Sequence, residues 1–267
     1  MGIVADFVDP VLFSFGTLKV YTYGFFMAMA FLVTHKLMDN EFKRLRIDVD
    51  TGHLVLAAVI GGVIGAKIHY VLTWNFDALF DINTGLSFQG GLMGGAFLVS
   101  AYTKYAGEAI SRVDDTVACL VPLGHAIGKL GCFFSGDGCY GGPTHLPWGM
   151  SFPNGLIPTR KFVHPSPLYE FIIGVSLSAY FWAKRDDKSP RLAFDNSTRV
   201  IIAFCFSRVI VELWRDHPVV VPLGPLGGIN QYQLLALGAA LVLIMLRRFV
   251  LTPLWKAKSA SKKKKTN

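Results

Sequence analysis

The sequence predicts an all-α integral membrane protein with seven transmembrane helices, its N-terminus outside the cell and its C-terminus in the cytoplasm. Of the 267 residues, 52% are hydrophobic and only 16% are charged. The apolar residues come in blocks of about 20, which is the length that a bilayer requires. Lysine and arginine fall mainly in the loops of one side, and this asymmetry sets the orientation of the helices.

The apolar blocks define seven predicted spans, which are residues 18–38, 52–73, 87–106, 116–135, 167–184, 198–215 and 228–250. The second span is rich in glycine, at Gly61, Gly62 and Gly65. Small residues of this kind let two helices pack closely. Since neither an internal repeat nor a soluble domain is evident, we expect one transmembrane domain, 1–250, followed by a basic cytoplasmic tail, 251–267.

Two sets of loops alternate along the chain. The loops 35–52, 104–115 and 184–199, with the residues from 247 onward, hold 19 lysines and arginines, whereas the loops 1–19, 73–86, 136–166 and 216–227 hold 3. The basic set is expected to face the cytoplasm. No secretory signal pattern is expected in residues 1–17, because they lack a basic segment and contain Asp6 and Asp9.

The net charge of +8 is concentrated at the C-terminus, since six of the charges belong to Lys256, Lys258 and Lys262 to Lys265. A solvated tail that touches anionic lipid accounts for them. Nucleic-acid binding is not expected, because no aromatic residue interleaves these lysines. The four cysteines show no zinc-ligand spacing, so neither a metal nor a cofactor is expected.

Four cations fall inside the predicted spans: Lys67, Lys129, Arg208 and Arg215. A charge at membrane depth is costly and usually has a polar partner or a ligand. Each one alone could reach the interface or form a structural ion pair. All four are predicted in the outer half of the membrane, and such a cluster is typical of a site for a phosphate head group.

The sixth span adds a carboxylate to this group. Arg208, Glu212 and Arg215 are spaced i, i+4 and i+7, which predicts one shared helix face with Glu212 paired to both arginines. The alternative is that these three charged side chains pair only with one another and have a purely structural role. Two arginines against one glutamate nevertheless leave a positive charge, which favours an anion.

The stretch Gly128 to Gly142, GKLGCFFSGDGCYGG, is predicted to be the centre of the molecule. Its glycines allow the backbone to leave the helix beside Lys129. The loop that follows, 136–166, is rich in glycine and proline, and a loop of this length is more often functional than a mere connection. Cys132 and Cys139 lie near the outer face, where a disulfide and two packed free thiols both remain open; a covalent acyl-cysteine is a third alternative.

Several motifs together resemble the prolipoprotein diacylglyceryl transferase family, over nearly the whole chain. They are Tyr23-Gly24, Gly65-Ala66-Lys67, Ser87-Phe88-Gln89-Gly90-Gly91-Leu92, Gly128 to Asp137, His164-Pro165-Ser166-Pro167-Leu168-Tyr169-Glu170, Arg208-x3-Glu212-x2-Arg215 and Gln231. The resemblance implies a multi-pass enzyme of the bacterial inner membrane. Its reaction moves a diacylglyceryl group from phosphatidylglycerol to the lipobox cysteine of a preprolipoprotein, and glycerol phosphate leaves.

The reaction that the resemblance implies needs phosphate-binding groups and a base, and these needs suggest roles for residues. Catalytic roles are expected for Arg208, Lys129, Glu212 and His125, and substrate binding for Lys67, Arg215, Gln89, Tyr23, Asp137, Cys132, His164 and Tyr169. The base that activates the thiol is sought among His125, His164 and Asp137, and His125 is favoured because it lies four residues before Lys129. Structural hydrogen bonds for the histidines, and packing at the membrane interface for the tyrosines, are the alternatives.

The chain departs from the family pattern at several positions. Lys67 and Lys129 replace arginines, Gln89 replaces a histidine, Cys132 and Ser135 replace asparagines, and Asp137 replaces a glutamate. Lysine keeps the charge but loses the bidentate fork of arginine. A divergent member that uses another lipid or acceptor, or a lipid-binding protein without catalysis, is therefore the alternative. A transporter or proton channel is less compatible with the sequence, since transporters often carry internal repeats.

Overall fold

The computed structural model describes residues 2–73, 85, 87–186, 194–217, 219–222 and 228–252, and these residues are mostly helical. Eight α-helices occur among them: α1 Thr22–Leu45, α2 Thr51–Thr73, α3 Phe88–Tyr105, α4 Ile110–Val117, α5 Val121–Ser135, α6 Ser166–Ala183, α7 Asp195–Val211 and α8 Gln231–Leu246. Every predicted span contains a helix, and α4 and α5 together cover the fourth. The tail lysines from Lys256 onward and most of the predicted loop 73–86 lie outside the described residues.

Two of the described helices are long and apolar enough to cross a membrane by length and composition, Thr51–Thr73 and Gln231–Phe249. The second of these combines α8 with the start of a π-helical turn, Arg247–Leu251. The pair α4 and α5 meets the same criterion as one span broken by a bend of 41°. These helices agree with the predicted membrane class, and the count of seven spans stays a prediction.

The expectation of an all-α fold needs a correction, because the structure contains three small sheets. Strands β1 (Ile3–Val4), β4 (Met150–Phe152) and β5 (Thr159–Val163) form a sheet in the order β1-β4-β5. Strands β2 (Val11–Phe15) and β3 (Leu18–Tyr21) form a hairpin, and β6 (Val219–Pro222) pairs with β7 (Gly228–Asn230). All three sheets lie largely in the predicted outer loops, whose backbone N–H and C=O groups find partners in this way.

The chain divides into two compact units, Met1–Thr34 with Ala118–Asn267, and His35–Val117. Within the second unit, α2 packs closely on α3 through glycines. A Cβ atom added at Gly65 would overlap the carbonyl oxygen of Gly90, and one at Gly61 would overlap that of Gly94. The predicted close packing of the glycine-rich helix is confirmed, with α3 as its neighbour.

In the first unit, α5 packs on α6, α6 on α7, and α7 on α8. An apolar core lies at the C-terminal end of α5 and consists of Ala5, Val8, Phe133, Phe152 and Val163. It joins α5 to the N-terminal segment and to strands β4 and β5. This core fixes the end of α5, and Lys129 lies about one helical turn before Phe133.

Candidate active site

Glu170 on α6 is the centre of a cluster of ion pairs in the first unit. Its side chain is only 5% exposed. It accepts hydrogen bonds or ion-pair contacts from Lys129 Nζ at 3.1 Å, Arg215 Nη2 at 2.5 Å, Arg208 Nη1 at 3.4 Å and His125 Nε2 at 3.1 Å. One carboxylate therefore joins α5, α6, the end of α7 and the turn that follows it.

The local sequence explains how α5 contributes two of these groups. His125 and Lys129 are four residues apart on α5 and point to the same side of the helix. Gly174 lies one turn beyond Glu170 on α6, and a Cβ atom there would come within 2.9 Å of Ala126 Cβ. Because this position lacks a side chain, α6 approaches α5 closely enough for Glu170 to meet both residues.

A second buried carboxylate, Glu212, holds Arg208 from the other side. Arg208 Nη2 lies 2.8 Å from Glu212 Oε2, as the sequence spacing predicts. His217 Nε2 lies 3.1 Å from Glu212 Oε1, and Asn230 Nδ2 donates a hydrogen bond to the same oxygen at 3.2 Å. Arg208 thus bridges two carboxylates that belong to α6 and to the end of α7.

The prediction that Arg208, Glu212 and Arg215 share one helix face is wrong. Helix α7 ends at Val211, and Glu212–Trp214 forms a 3-10 turn. Arg215 follows with an extended backbone, at φ −93° and ψ 147°. Among the ion pairs of the described residues, Arg215 therefore pairs with Glu170 on α6 instead of Glu212.

The cluster carries an excess of positive charge. Lys129, Arg208 and Arg215 face the two carboxylates Glu170 and Glu212, which leaves one net positive charge when the histidines are neutral. The side chain of Arg208 is 28% exposed, compared with 14% for Lys129 and 10% for Arg215. Arg208 is therefore the cation of the cluster that is most accessible to an anion.

An apolar groove lies at the start of α6 and reaches the residue before Arg215. Its volume is about 360 Å³, and it is lined by Leu146, Trp148, Tyr169, Ile172, Ile173 and Trp214. The hydroxyl of Tyr169 accepts a hydrogen bond from Trp148 Nε1 at 2.9 Å and lies 3.2 Å from His164 Nδ1. Burial lowers the pKa of His164, which favours its neutral form.

The other predicted site residues divide between the two units. Cys132, in the last turn of α5, comes together with Asp137 and Cys139, and both cysteines are free thiols in the structure. Tyr23 on α1 packs against Gly131, the neighbour of Cys132. Lys67 on α2 is half-buried in the second unit, and its role stays a prediction.

Gln89 also belongs to the second unit, in the first turn of α3. Its side chain is exposed, and its Oε1 accepts a hydrogen bond from the Ser87 hydroxyl at 3.2 Å. Gln89 is the second residue of the helix, whose N-cap is Ser87. Its contribution to catalysis stays a prediction.

Sequence reasoning assigned no role to Glu170, the central residue of the cluster. One signal was present, because Glu170 closes the motif HPSPLYE and stands at the start of an apolar span, where a carboxylate needs partners. Trp148 and Trp214 were also missed. Tryptophans are common at membrane interfaces, so their positions alone give no functional signal.

The apolar helices, the net positive cluster and the adjoining groove define a helical membrane protein with a site suited to an anionic amphiphile. Comparison with known proteins narrows this class. The family model for prolipoprotein diacylglyceryl transferase matches residues 10–248, and the chain belongs to that family. The resemblance found in the sequence motifs is thereby confirmed.

Curated relatives give the same result. The chain is 31% identical to the phosphatidylglycerol–prolipoprotein diacylglyceryl transferase of Legionella pneumophila (strain Corby) over 90% of this chain and 96% of the relative. It is 33% identical to the protein of that name from Coxiella burnetii (strain RSA 331), over 78% of this chain and 82% of the relative. It is 31% identical to the protein of the same name from Clostridium tetani, over 79% of this chain and 87% of the relative.

Proposed function

We propose that this chain transfers the diacylglyceryl group of phosphatidylglycerol to the lipobox cysteine of a preprolipoprotein. In this reaction the cysteine sulfur forms a bond to a glycerol carbon of the lipid. The bond between that carbon and the phosphate oxygen breaks, and glycerol phosphate leaves with the electron pair. The reaction is the first step of lipoprotein maturation, and membership of the family supports it.

The observation that carries the proposal is the partly exposed Arg208 within a cluster of net positive charge. The leaving phosphate gains negative charge as the C–O bond breaks, and oriented cations at that place lower the barrier. Arg208 is held by Glu170 and Glu212, so its guanidinium is fixed before the lipid arrives. The apolar groove that ends at Trp214 supplies a surface for an acyl chain.

The acceptor thiol must lose its proton before it attacks, since the thiolate is the nucleophile. His125 is the favoured base, and its Nε2 points to Glu170, which fixes the plane of the imidazole ring. The excess positive charge of the cluster also favours the thiolate. Lys129 and Arg215 therefore serve both the ionisation of the thiol and the departure of the phosphate, because each of these places negative charge beside them.

The proposed topology is supported by the uneven distribution of lysine and arginine between the loops and by the presence of a helix in every predicted span. The protein would cross the bacterial inner membrane seven times, with the N-terminus and the segment 136–166 on its outer side. The site then lies in the outer half of the bilayer, where lipid head groups and the signal peptides of exported lipoproteins are both within reach. The small sheets of the first unit would form the outer surface beside the site.

The test is lipid transfer by the protein reconstituted with phosphatidylglycerol and a lipobox peptide. Arg208→Ala should lower the rate by on the order of 10²–10³-fold, which is the loss typical of removing one group that stabilises developing charge. Arg199→Ala is a matched control on the same helix. The Arg199 side chain is 52% exposed and forms an ion pair with Asp195, four residues earlier on α7, and it is not part of the Glu170 cluster. Transfer by Arg208→Ala at the rate of the control would refute the phosphate-binding role.

A divergent member with another acceptor or lipid is the second candidate, and the departures at Lys129 and Gln89 favour it. Complementation of a bacterium depleted of its own transferase separates the two. Rescue, with lipid-modified lipoprotein in the membrane, supports the proposed reaction. Normal insertion of the protein without rescue supports the divergent member.

A further inference from the structure

Three side chains of types that can bind metal ions meet at the C-terminal end of α5, where Cys132 belongs to the last turn of the helix and Asp137 and Cys139 follow it. The two Sγ atoms of Cys132 and Cys139 and a carboxylate oxygen of Asp137 all lie within 4.8 Å of one another. Cys132 is buried, and the other two side chains are half-buried.

The backbone explains why residues with no zinc-like spacing meet. Gly136 and Gly138 both adopt left-handed conformations, with φ of 59° and 86°, which favour glycine. They turn the chain back at the end of α5, so Asp137 and Cys139 approach Cys132. Asp137 Oδ1 also accepts a hydrogen bond from the Cys139 backbone N–H at 3.0 Å, which orients two of the three groups.

We propose that Cys132, Asp137 and Cys139 bind one thiophilic divalent metal ion, with Zn²⁺ as the expected occupant. Thiolates combined with a carboxylate are ligands that Zn²⁺ accepts, in a tetrahedral arrangement with Zn–S distances near 2.3 Å. Three protein ligands leave a fourth position for water or another ligand, which is typical of an open site instead of a closed structural one. Binding releases the two thiol protons to solvent.

The charges around the cluster support this assignment. Two thiolates, one carboxylate and a divalent ion add to a charge of −1. Lys129 interacts electrostatically with both thiols, and Arg215 interacts with Cys139, so two cations already lie near the proposed ligands. The metal site would thus be coupled to the Glu170 cluster through Lys129 and Arg215. The proposal itself does not depend on the transfer reaction.

The test is titration of Co²⁺, and then of Zn²⁺, into the reduced full-length protein in detergent. Co²⁺ should bind at one ion per chain and give thiolate-to-cobalt charge-transfer absorption together with visible bands of a tetrahedral ion, and Zn²⁺ should displace it. Cys132→Ser, Cys139→Ser and Asp137→Asn should each weaken binding by more than the roughly 10–100-fold typical of changes outside the ligand set. Cys205→Ser and Asp6→Asn are matched controls that should bind as the unaltered protein does.

Several results would overturn the proposal. They are a protein that binds no Co²⁺ at equimolar concentration, a charge-transfer band that persists in all three cluster variants, and a Cys132–Cys139 disulfide in protein isolated without added oxidant. Helical circular dichroism and size-exclusion chromatography identify variants that do not fold. Asp137→Asn is the least disruptive of the three, since its side chain is half-buried and similar in size, and it keeps the test decisive if a cysteine variant fails to fold.

Discussion

Replacement of Glu170 by glutamine is the sharpest perturbation of the proposed site. The amide keeps the shape of the side chain but removes the charge that holds Lys129, Arg208 and Arg215 together. It also introduces an NH₂ group, which cannot accept hydrogen bonds from the cationic side chains that face Glu170 in the unaltered protein. The net charge of the cluster rises from +1 to +2, and the cations lose their common partner.

The burial of the group decides the size of the effect. An exposed ion pair contributes about 0.2–1 kcal/mol, whereas removing one partner of a buried pair costs about 3–5 kcal/mol. Glu170 is 5% exposed, and its cationic partners are between 10% and 28% exposed, so the buried range applies. At about 2–4 °C per kcal/mol for a domain of this size class, the Tm should fall by roughly 6–20 °C.

The assay is thermal unfolding in detergent, followed by helical circular dichroism. Lys43→Gln is the control, because the Lys43 side chain is 74% exposed and forms an i,i+4 pair with Asp39. Such a pair contributes about 0.3–0.5 kcal/mol, so the control should shift the Tm by about 1–2 °C. If Glu170→Gln shifts the Tm no more than the control does, the carboxylate does not hold the three cations together.

Three further predictions concern charge, the base and pH. Lys129→Arg should retain transfer and Lys129→Ala should lose it, because the position needs a cation; an active alanine variant in the peptide assay would contradict this. His125→Ala should slow transfer strongly at neutral pH and less near pH 9, where more of a thiol with a pKa of about 8.5 is ionised, whereas Gln89→Ala should slow it modestly throughout. Transfer rates of both variants are measured between about pH 6 and pH 9, and a wild-type rate for His125→Ala at neutral pH would show that His125 is not the base. Because the pKa of His164 is lowered in the folded protein, its contribution to stability is present above about pH 6.5 and is lost as the pH falls through the folded-state pKa. His164→Gln should therefore make the Tm less dependent on pH between about 7 and 5, and an unchanged slope would disprove this.

The local features of the fold could be predicted from the sequence. Apolar blocks located the helices, and i,i+4 spacing placed His125 beside Lys129 on α5. The same spacing predicted the ion pair between Arg208 and Glu212. Each of these predictions needs only the period of an α-helix and the residues of one segment.

The non-local features could not be predicted in the same way. Glu170 meets His125 across 45 residues and Arg208 across 38, and no periodicity within a segment reports such a contact. The spacing argument for Arg215 assumed a continuous helix, but α7 ends at Val211, four residues earlier and with no glycine or proline to mark the end. The pairing of Ile3 with Met150 likewise joins distant segments, so no pattern within one segment could report it.

The geometry explains how lysine at position 129 can serve at a position where the motif resemblance implies arginine. Lys129 makes a point contact, with Nζ 3.1 Å from one oxygen of Glu170, and this contact needs charge but not a planar fork. The guanidinium of Arg208 already bridges the two carboxylates. The departure at Gln89 is different in kind, because an amide side chain cannot take a proton from a thiol. If transfer occurs, the thiol is activated by another base, of which His125 is favoured, or by the excess positive charge around Arg208, and the pH dependence of the His125→Ala variant tests the role of His125.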